Sequence, residues 1–107
     1  MNPQPKSNKY RNSRLTQSAK NEECVSCGAN DGTIVWAHSN RQKHGKGMGC
    51  KAHDLFGVYL CHACHCSLDA GKVPANTLFY SVNEGLTTWF NCMWERSMII
   101  ACEKGYL

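Results

Sequence analysis

The chain has 107 residues, with 12 lysines and arginines, eight aspartates and glutamates, and eight cysteines. This length is that of a single domain and excludes a protein of two domains. The net charge of +4 is uneven, because residues 1–20 carry five basic side chains and no acidic one, whereas residues 21–107 carry seven basic and eight acidic ones. A basic segment of this kind favours an anionic polymer, most commonly nucleic acid, as the partner.

Signal sequences and membrane spans are not recognisable in this sequence. The first residues contain no apolar run, and no stretch approaches the roughly 18 consecutive apolar residues of a membrane-spanning helix. We therefore expect a cytoplasmic protein, in a compartment where thiols stay reduced. Clustered cysteines in such a protein bind metal more often than they form disulfides.

The beginning of the chain differs in composition from the rest. Residues 1–22 are rich in Pro, Asn, Gln, Ser, Lys and Arg and almost free of apolar side chains, which predicts a disordered basic arm. Residues 23–107 then form one domain, with a core over 23–72 and a helical part over 73–107.

Within the core, two short strands flank a long loop. Residues 33–38 are rich in β-branched and aromatic side chains and predict a strand that ends at His38. Residues 39–53 are basic and rich in glycine, which predicts a flexible loop. Residues 55–60 predict a second strand that pairs with the first.

Two helices are expected after the second strand. A short one begins near Cys61 and ends before Gly71, a residue type that suits the left-handed position after a helix. Residues 77–82 are compatible with a strand, although their context favours a helix. A longer amphipathic helix is predicted over 86–104 from large apolar side chains at spacings of three and four residues. These side chains belong to Trp89, Phe90, Met93, Trp94 and Met98.

Four cysteines form two pairs with the spacing of metal-binding knuckles. Cys24 and Cys27 make the first pair, and Cys61 and Cys64 make the second. Two such knuckles complete a tetrahedral four-thiolate zinc site, and this interpretation is favoured over disulfides or free thiols. A site closed by four thiolates has no position for a catalytic water, so the zinc is expected to be structural.

The other four cysteines have no partner at this spacing. Cys92 and Cys102 lie in the amphipathic helix and are expected to be small buried apolar residues. Cys50 in the basic loop and Cys66 beside the second knuckle are less suitable as zinc ligands than the paired cysteines.

Two further groups of residues could bind a metal ion or take part in catalysis. His65 and Asp69 lie one helical turn apart and would suit a divalent ion, although an exposed helix pair is the simpler interpretation. His38 at the end of a strand could activate a water, or could be an ordinary surface histidine.

Taken in order, these features resemble the HNH nucleases, which have a ββα-metal fold. The sequence Ala37-His38, then Gly47-x3-Lys51-x2-Asp54-Leu55, then Cys61-x2-Cys64-His65-x3-Asp69 is similar to the small YbcO-like nucleases of bacteriophages and prophages. The resemblance covers about residues 22–72. It implies an α+β fold, in which a zinc-stabilised ββα-metal finger is followed by the amphipathic helix and preceded by the basic arm.

The resemblance also implies roles for individual residues. His38 would be the general base that deprotonates water, and His65 and Asp69 would bind a single Mg²⁺ or Mn²⁺ ion. Asp54 would brace the loop by accepting backbone N–H bonds or would be a third metal ligand. Ala37 departs from the pattern, because many HNH proteins have a metal-binding Asp or His at that position.

The function implied is a metal-dependent endonuclease that hydrolyses DNA phosphodiester bonds in the cytoplasm of a bacterial host, with RNA as the other polymer to consider. The basic side chains around His38 would contact phosphates. Two alternatives are a non-catalytic zinc-binding module that binds nucleic acid and a phage adaptor protein that docks through Trp89 and Trp94. The proposed phosphate contacts are Arg41, Lys43, Lys46 and Lys51.

Overall fold

The computed structural model describes residues 10–47, 49–78 and 84–107. In this part of the chain, one two-stranded sheet and three α-helices form a small α+β structure. None of its helices has the length and apolar character needed to cross a membrane. The elements are α1 (Ser13–Gln17), β1 (Val35–His38), β2 (Gly57–Leu60), α2 (His62–Asp69) and α3 (Leu86–Glu103), with 3-10 turns over Ser18–Asn21 and Gln42–His44.

The two strands pair antiparallel, with Val35 opposite Leu60 and His38 opposite Gly57. They are shorter than predicted but lie within the predicted segments. The indole of Trp36 covers Gly57 so closely that a β-carbon at that position would overlap the ring. The same indole donates a hydrogen bond of 2.9 Å to the backbone oxygen of Asp54. A glycine is therefore required where the end of β1 meets the start of β2.

Both predicted helices after the sheet are present. The left-handed Gly71, with φ of 76°, follows α2, and Gly105, also with φ of 76°, follows α3. The apolar face of α3 packs on the sheet, and the hydroxyl of its buried Ser97 accepts the N–H of Tyr59 at 3.2 Å. Trp89 is fully buried, whereas Trp94 lies at the edge of the core and donates its indole N–H to the oxygen of Leu55.

The predicted disordered arm is wrong for residues 10–22. These residues form α1 and the 3-10 turn, and Leu15 and Ala19 are 0% and 2% exposed in the core. The physical reason is that two apolar side chains four residues apart lie on one helical face and pack beside β1. The side chain of Asn12 caps α1 by accepting the N–H of Leu15 at 3.1 Å. Residues 1–9 lie outside the described part of the chain.

An ion pair between the buried Glu22 and the half-exposed Lys104 joins this amino-terminal segment to the end of the chain. Both carboxylate oxygens of Glu22, which is 6% exposed, lie 2.8 Å from the ammonium of Lys104. The hydroxyl of Tyr106 donates to the same carboxylate at 3.0 Å. The segment before the first knuckle is therefore held at two ends, by apolar packing and by this ion pair.

The glycine-rich loop is fixed by a buried histidine. His44 is 9% exposed, its Nδ1 lies 2.6 Å from the hydroxyl of Ser39, and its ring stacks on Phe56 with centroids 4.1 Å apart. The backbone oxygen of His44 also accepts the N–H of His53 at 2.9 Å. These contacts hold the described part of the loop beside Phe56, the residue that precedes β2.

Two smaller expectations have different outcomes. Of the segment predicted as helical over 77–82, residues 79–82 lie outside the described part, and Thr77 and Leu78 are not helical. Cys92 is half-buried against the core as expected, but Cys102 is exposed. The prediction for Cys102 fails because it lies on the outward side of the last turn of α3, next to the fully buried Ala101.

Candidate functional site

Four cysteines meet between the first knuckle and the start of α2. The sulfur atoms of Cys24, Cys27, Cys61 and Cys64 all lie within 4.8 Å of one another, and the thiols are free. The Sγ atoms of Cys27 and Cys61 are 3.7 Å apart. A tetrahedral zinc ion with bonds of about 2.3 Å places its sulfur ligands about 3.8 Å apart. The group therefore has the geometry to hold a metal ion such as zinc.

The surroundings of these thiols shift their pKa values in different directions. Burial raises the pKa of the Cys64 thiol, and the nearby Cys24 adds to this effect. Burial acts on Cys24 in the same direction, but the backbone N–H groups of Cys61 and Cys27 outweigh it and lower the pKa of Cys24. Four thiolates this close repel one another, so a cation is needed to hold them all deprotonated.

The remaining cysteines lie apart from this group. Cys66 is exposed on α2, and its sulfur lies 3.5 Å from Nε2 of His62. Cys50 is half-buried in the loop and forms a backbone bridge with Gly47.

His38 and Asp54 form a close pair beside the sheet. Nε2 of His38 lies 2.7 Å from Oδ1 of Asp54, and the Asp54 side chain is 4% exposed. Because the carboxylate accepts the Nε2–H, the tautomer that it favours leaves Nδ1 of His38 free to accept a proton. The 15% exposure of the His38 side chain keeps the ring in contact with solvent.

Bracing the glycine-rich loop through backbone N–H bonds was one of the two predicted roles of Asp54, but its carboxylate accepts no N–H of the described loop residues. Its Oδ2 accepts the backbone N–H of Asn12 at 2.6 Å, and its Oδ1 lies 3.5 Å from the guanidinium of Arg11. This guanidinium also donates to the backbone oxygen of Ala52 at 2.7 Å. The carboxylate therefore fixes the segment before α1 and the ring of His38 at the same time.

A groove of about 610 Å³ lies in front of this pair. We call it the His38 groove. Its lining combines the pair with three basic side chains, Arg11, Lys20 and Lys51. One wall is formed by the polar side of α1 and the following turn, and the floor is formed by residues 34–36 at the start of β1.

His65 and Asp69 lie together on α2, as predicted from their spacing. Nε2 of His65 is 3.5 Å from Oδ2 of Asp69, and both side chains are partly exposed. The amide of Asn40 donates to Oδ1 of Asp69 at 3.3 Å. This hydrogen bond connects the segment that follows β1 to the end of α2.

The pair on α2 does not belong to the lining of the His38 groove. No residue of α2 lines the His38 groove among the residues that the structure describes. Ala37 is 1% exposed and faces the opposite side of the strand from His38.

The four predicted phosphate-binding residues are spread over the surface. Lys51 lines the His38 groove, whereas Lys43 and Lys46 are exposed on the loop. Arg41 borders a separate small cavity with Asn40 and Leu68. The structure thus places only one of the four beside His38.

Sequence reasoning missed the contribution of the amino-terminal segment. Arg11 and Lys20 belong to the groove, although the sequence predicts a disordered arm for them, and the sequence predicts no role for Asn12 or for the contact between Asn40 and Asp69. A signal was present in Leu15 and Ala19, whose spacing of four residues indicates a helical face.

Comparison with known proteins gives a family without a described activity. No curated protein matches the chain, and no solved structure matches it. The model of the family described as "Protein of unknown function (DUF968)" matches residues 2–91. This match covers most of the chain, including the knuckles, the His38 groove and α2. The chain therefore belongs to the DUF968 family.

Proposed function

We propose that this protein is a metal-dependent endonuclease that hydrolyses DNA phosphodiester bonds, with His38 as the general base. The observation that carries the proposal is the hydrogen bond of 2.7 Å between His38 and the buried Asp54, at a groove lined by Arg11, Lys20 and Lys51. A histidine held by a carboxylate at a cationic groove suits the activation of water beside a phosphate.

The pair would act as a general base. Nδ1 of His38 takes a proton from water as the water oxygen bonds to phosphorus and the bond from phosphorus to the departing sugar oxygen breaks. The imidazolium that forms is stabilised by Asp54 through the Nε2–H bond and then releases its proton to solvent. Arg11 and Lys51 bind the non-bridging oxygens of the phosphate, on which negative charge increases in the transition state. Nucleophile activation and charge stabilisation then lie within one groove.

A structural zinc is consistent with this proposal, because it would provide a scaffold for the proposed catalytic residues. We assign the four-cysteine group to a structural zinc, which ties the first knuckle before β1 to the start of α2. The arrangement of knuckle, strand, loop, strand and helix agrees with the ββα-metal pattern of HNH nucleases, which we propose for this fold.

We assign the catalytic divalent ion to His65 and Asp69, with water and substrate oxygens as the other ligands. Magnesium is commonly held by one or two protein carboxylates and several waters, so a set of two side chains is sufficient. Because this ion would lie outside the His38 groove, the bound strand has to extend from the groove to α2 for the ion to stabilise the departing oxygen as a Lewis acid. Asn40 orients Asp69 through its amide hydrogen bond.

A second candidate function is a zinc-binding module that binds DNA without cutting it. It is favoured by the position of His65 and Asp69 outside the His38 groove. The adaptor alternative is weakened by Trp89, which is 0% exposed and so is not available as an interface anchor.

Relaxation of supercoiled plasmid DNA with Mg²⁺ or Mn²⁺ tests the proposal. We expect zinc-loaded wild-type protein to nick the plasmid, and His38→Ala to lose about 10²–10⁴-fold of the rate. His62→Ala is the matched control, because His62 is an exposed histidine on α2 that lies outside the groove lining. Salt-sensitive DNA binding without nicking would instead establish the non-catalytic module.

A further inference from the structure

We infer that the His38 groove binds unpaired nucleotides, so that the substrate is single-stranded or locally unpaired DNA rather than an intact duplex. This inference rests on the proposed function for the identity of the polymer. It deepens that function by specifying the state of the strand, which follows from the combination of an apolar floor and a cationic rim.

The floor of the groove is apolar. It is formed by Ile34, Val35 and Trp36, of which Ile34 and Trp36 are buried, so Val35, which is 40% exposed, provides most of the apolar surface that a ligand can cover. An apolar surface of this kind contributes binding free energy only when an apolar surface of the ligand covers it. The faces of nucleobases are such a surface, and in a duplex they are stacked on one another and inaccessible.

The rim of the groove is cationic. Arg11 and Lys51 lie near His38, and Lys20 lies on the wall beside the 3-10 turn. No hydrogen bond or ion pair occupies the ammonium groups of Lys20 and Lys51 within the described part of the chain. They are available for phosphates that flank a base on the floor, which is the arrangement that single-strand-binding surfaces use.

The size and the wall of the groove argue against a duplex. A volume of about 610 Å³ is that of a site for a small ligand and accepts one or two nucleotides. The adjacent α1 has five residues, and its Leu15 is buried in the core, so it forms a fixed wall and does not project as a recognition helix. Polar side chains on this wall, Ser13, Thr16 and Gln17, face the same groove and can contact base edges.

Fluorescence anisotropy without Mg²⁺ measures binding independently of cleavage. Zinc-loaded protein is titrated into a labelled single-stranded oligonucleotide, the same sequence as a duplex, and the same sequence as single-stranded RNA. We expect the single-stranded DNA to bind at least about tenfold more tightly than the duplex. A duplex that binds as tightly overturns the inference, and tighter binding of the RNA overturns the assignment to DNA.

Two variants test the floor and the rim separately. Val35→Ser should weaken single-strand binding about fivefold, whereas Ile99→Ser, at an exposed apolar position on α3, should not. Lys20→Ala should reduce the slope of log affinity against log salt by about 0.7, and Lys72→Ala should leave it unchanged. Unchanged affinity for Val35→Ser together with an unchanged slope for Lys20→Ala overturns the groove as the binding site.

The binding and cleavage experiments fail in distinguishable ways. Preferential single-strand binding by a protein that never nicks DNA supports the groove and contradicts the endonuclease. Nicking that depends on His38, with equal affinity for both forms of DNA, supports the endonuclease and contradicts the groove inference.

Discussion

His44 is buried in the loop although it is an ionisable residue. Burial, with Arg41 and Lys43 as further causes, lowers the pKa of His44 from its usual 6.5. The unfolded chain therefore binds a proton at a higher pH than the folded chain does. The contribution of neutral His44 to stability is fully present above about pH 6.5 and is lost as the pH falls towards the lowered pKa.

This pH dependence of stability gives a prediction for the variant His44→Gln. The variant lacks the titrating group, so the melting temperature of wild-type protein should exceed that of the variant at about pH 7.5, and the difference should shrink towards about pH 5.5. Thermal unfolding monitored by circular dichroism at both pH values measures it. A difference that stays constant would show that protonation of His44 is not coupled to folding.

Residue spacings in the sequence predict some of the contacts in the site but not others. The spacing of the knuckle cysteines predicts a group that the structure brings within 4.8 Å. The spacing of His65 and Asp69 likewise predicts their contact of 3.5 Å. The contact between His38 and Asp54 joins residues 16 apart across an irregular loop, and no local periodicity reports on such a contact.

At the scale of elements, α1 is the helix that the amino-acid composition did not predict. Polar and basic residues dominate its sequence, yet Leu15 is fully buried and Asn12 caps the helix. Helix propensity would not form so short an element alone, so its stability comes from packing against β1 and from the contacts of Asp54. The two later helices were predictable because α3 presents a long apolar periodicity and both helices are followed by glycine.

The packing of α1 is tested by Leu15→Ala. Removing a fully buried leucine should lower the free energy of unfolding by about 2–5 kcal/mol, measured by urea denaturation. Leu78→Ala is the matched control, since Leu78 is 61% exposed and should change stability little. Equal effects of the two substitutions would mean that α1 does not dock on the sheet in solution.

At the scale of the whole molecule, we propose that a zinc ion in the four-cysteine group compensates for a small core. The sheet has two strands of four residues each, which is too little to be stable without further support. A structural zinc contributes apparent binding free energies of about 10–16 kcal/mol, comparable with the entire stability of a domain of this size.

Metal removal should therefore unfold the protein. Stripping zinc with a strong chelator under reducing conditions should abolish the near-ultraviolet circular dichroism signal and the cooperative thermal transition, and added zinc should restore both. Cys61→Ser should behave like the stripped protein, whereas Cys102→Ser, at an exposed cysteine outside the group, should not. A cooperative transition that persists in metal-free protein would contradict a structural role for the site.

The central claim is that the buried carboxylate of Asp54 makes His38 a general base. Its most direct test is the rate at which wild-type protein and Asp54→Asn, matched in zinc content, nick supercoiled plasmid under single-turnover conditions with Mg²⁺. We predict nicking by wild type and a rate at least about 10²-fold lower for the variant, because an amide does not stabilise the imidazolium as a carboxylate does. Equal rates, or no nicking by zinc-loaded wild type on single-stranded or double-stranded DNA, would contradict the claim.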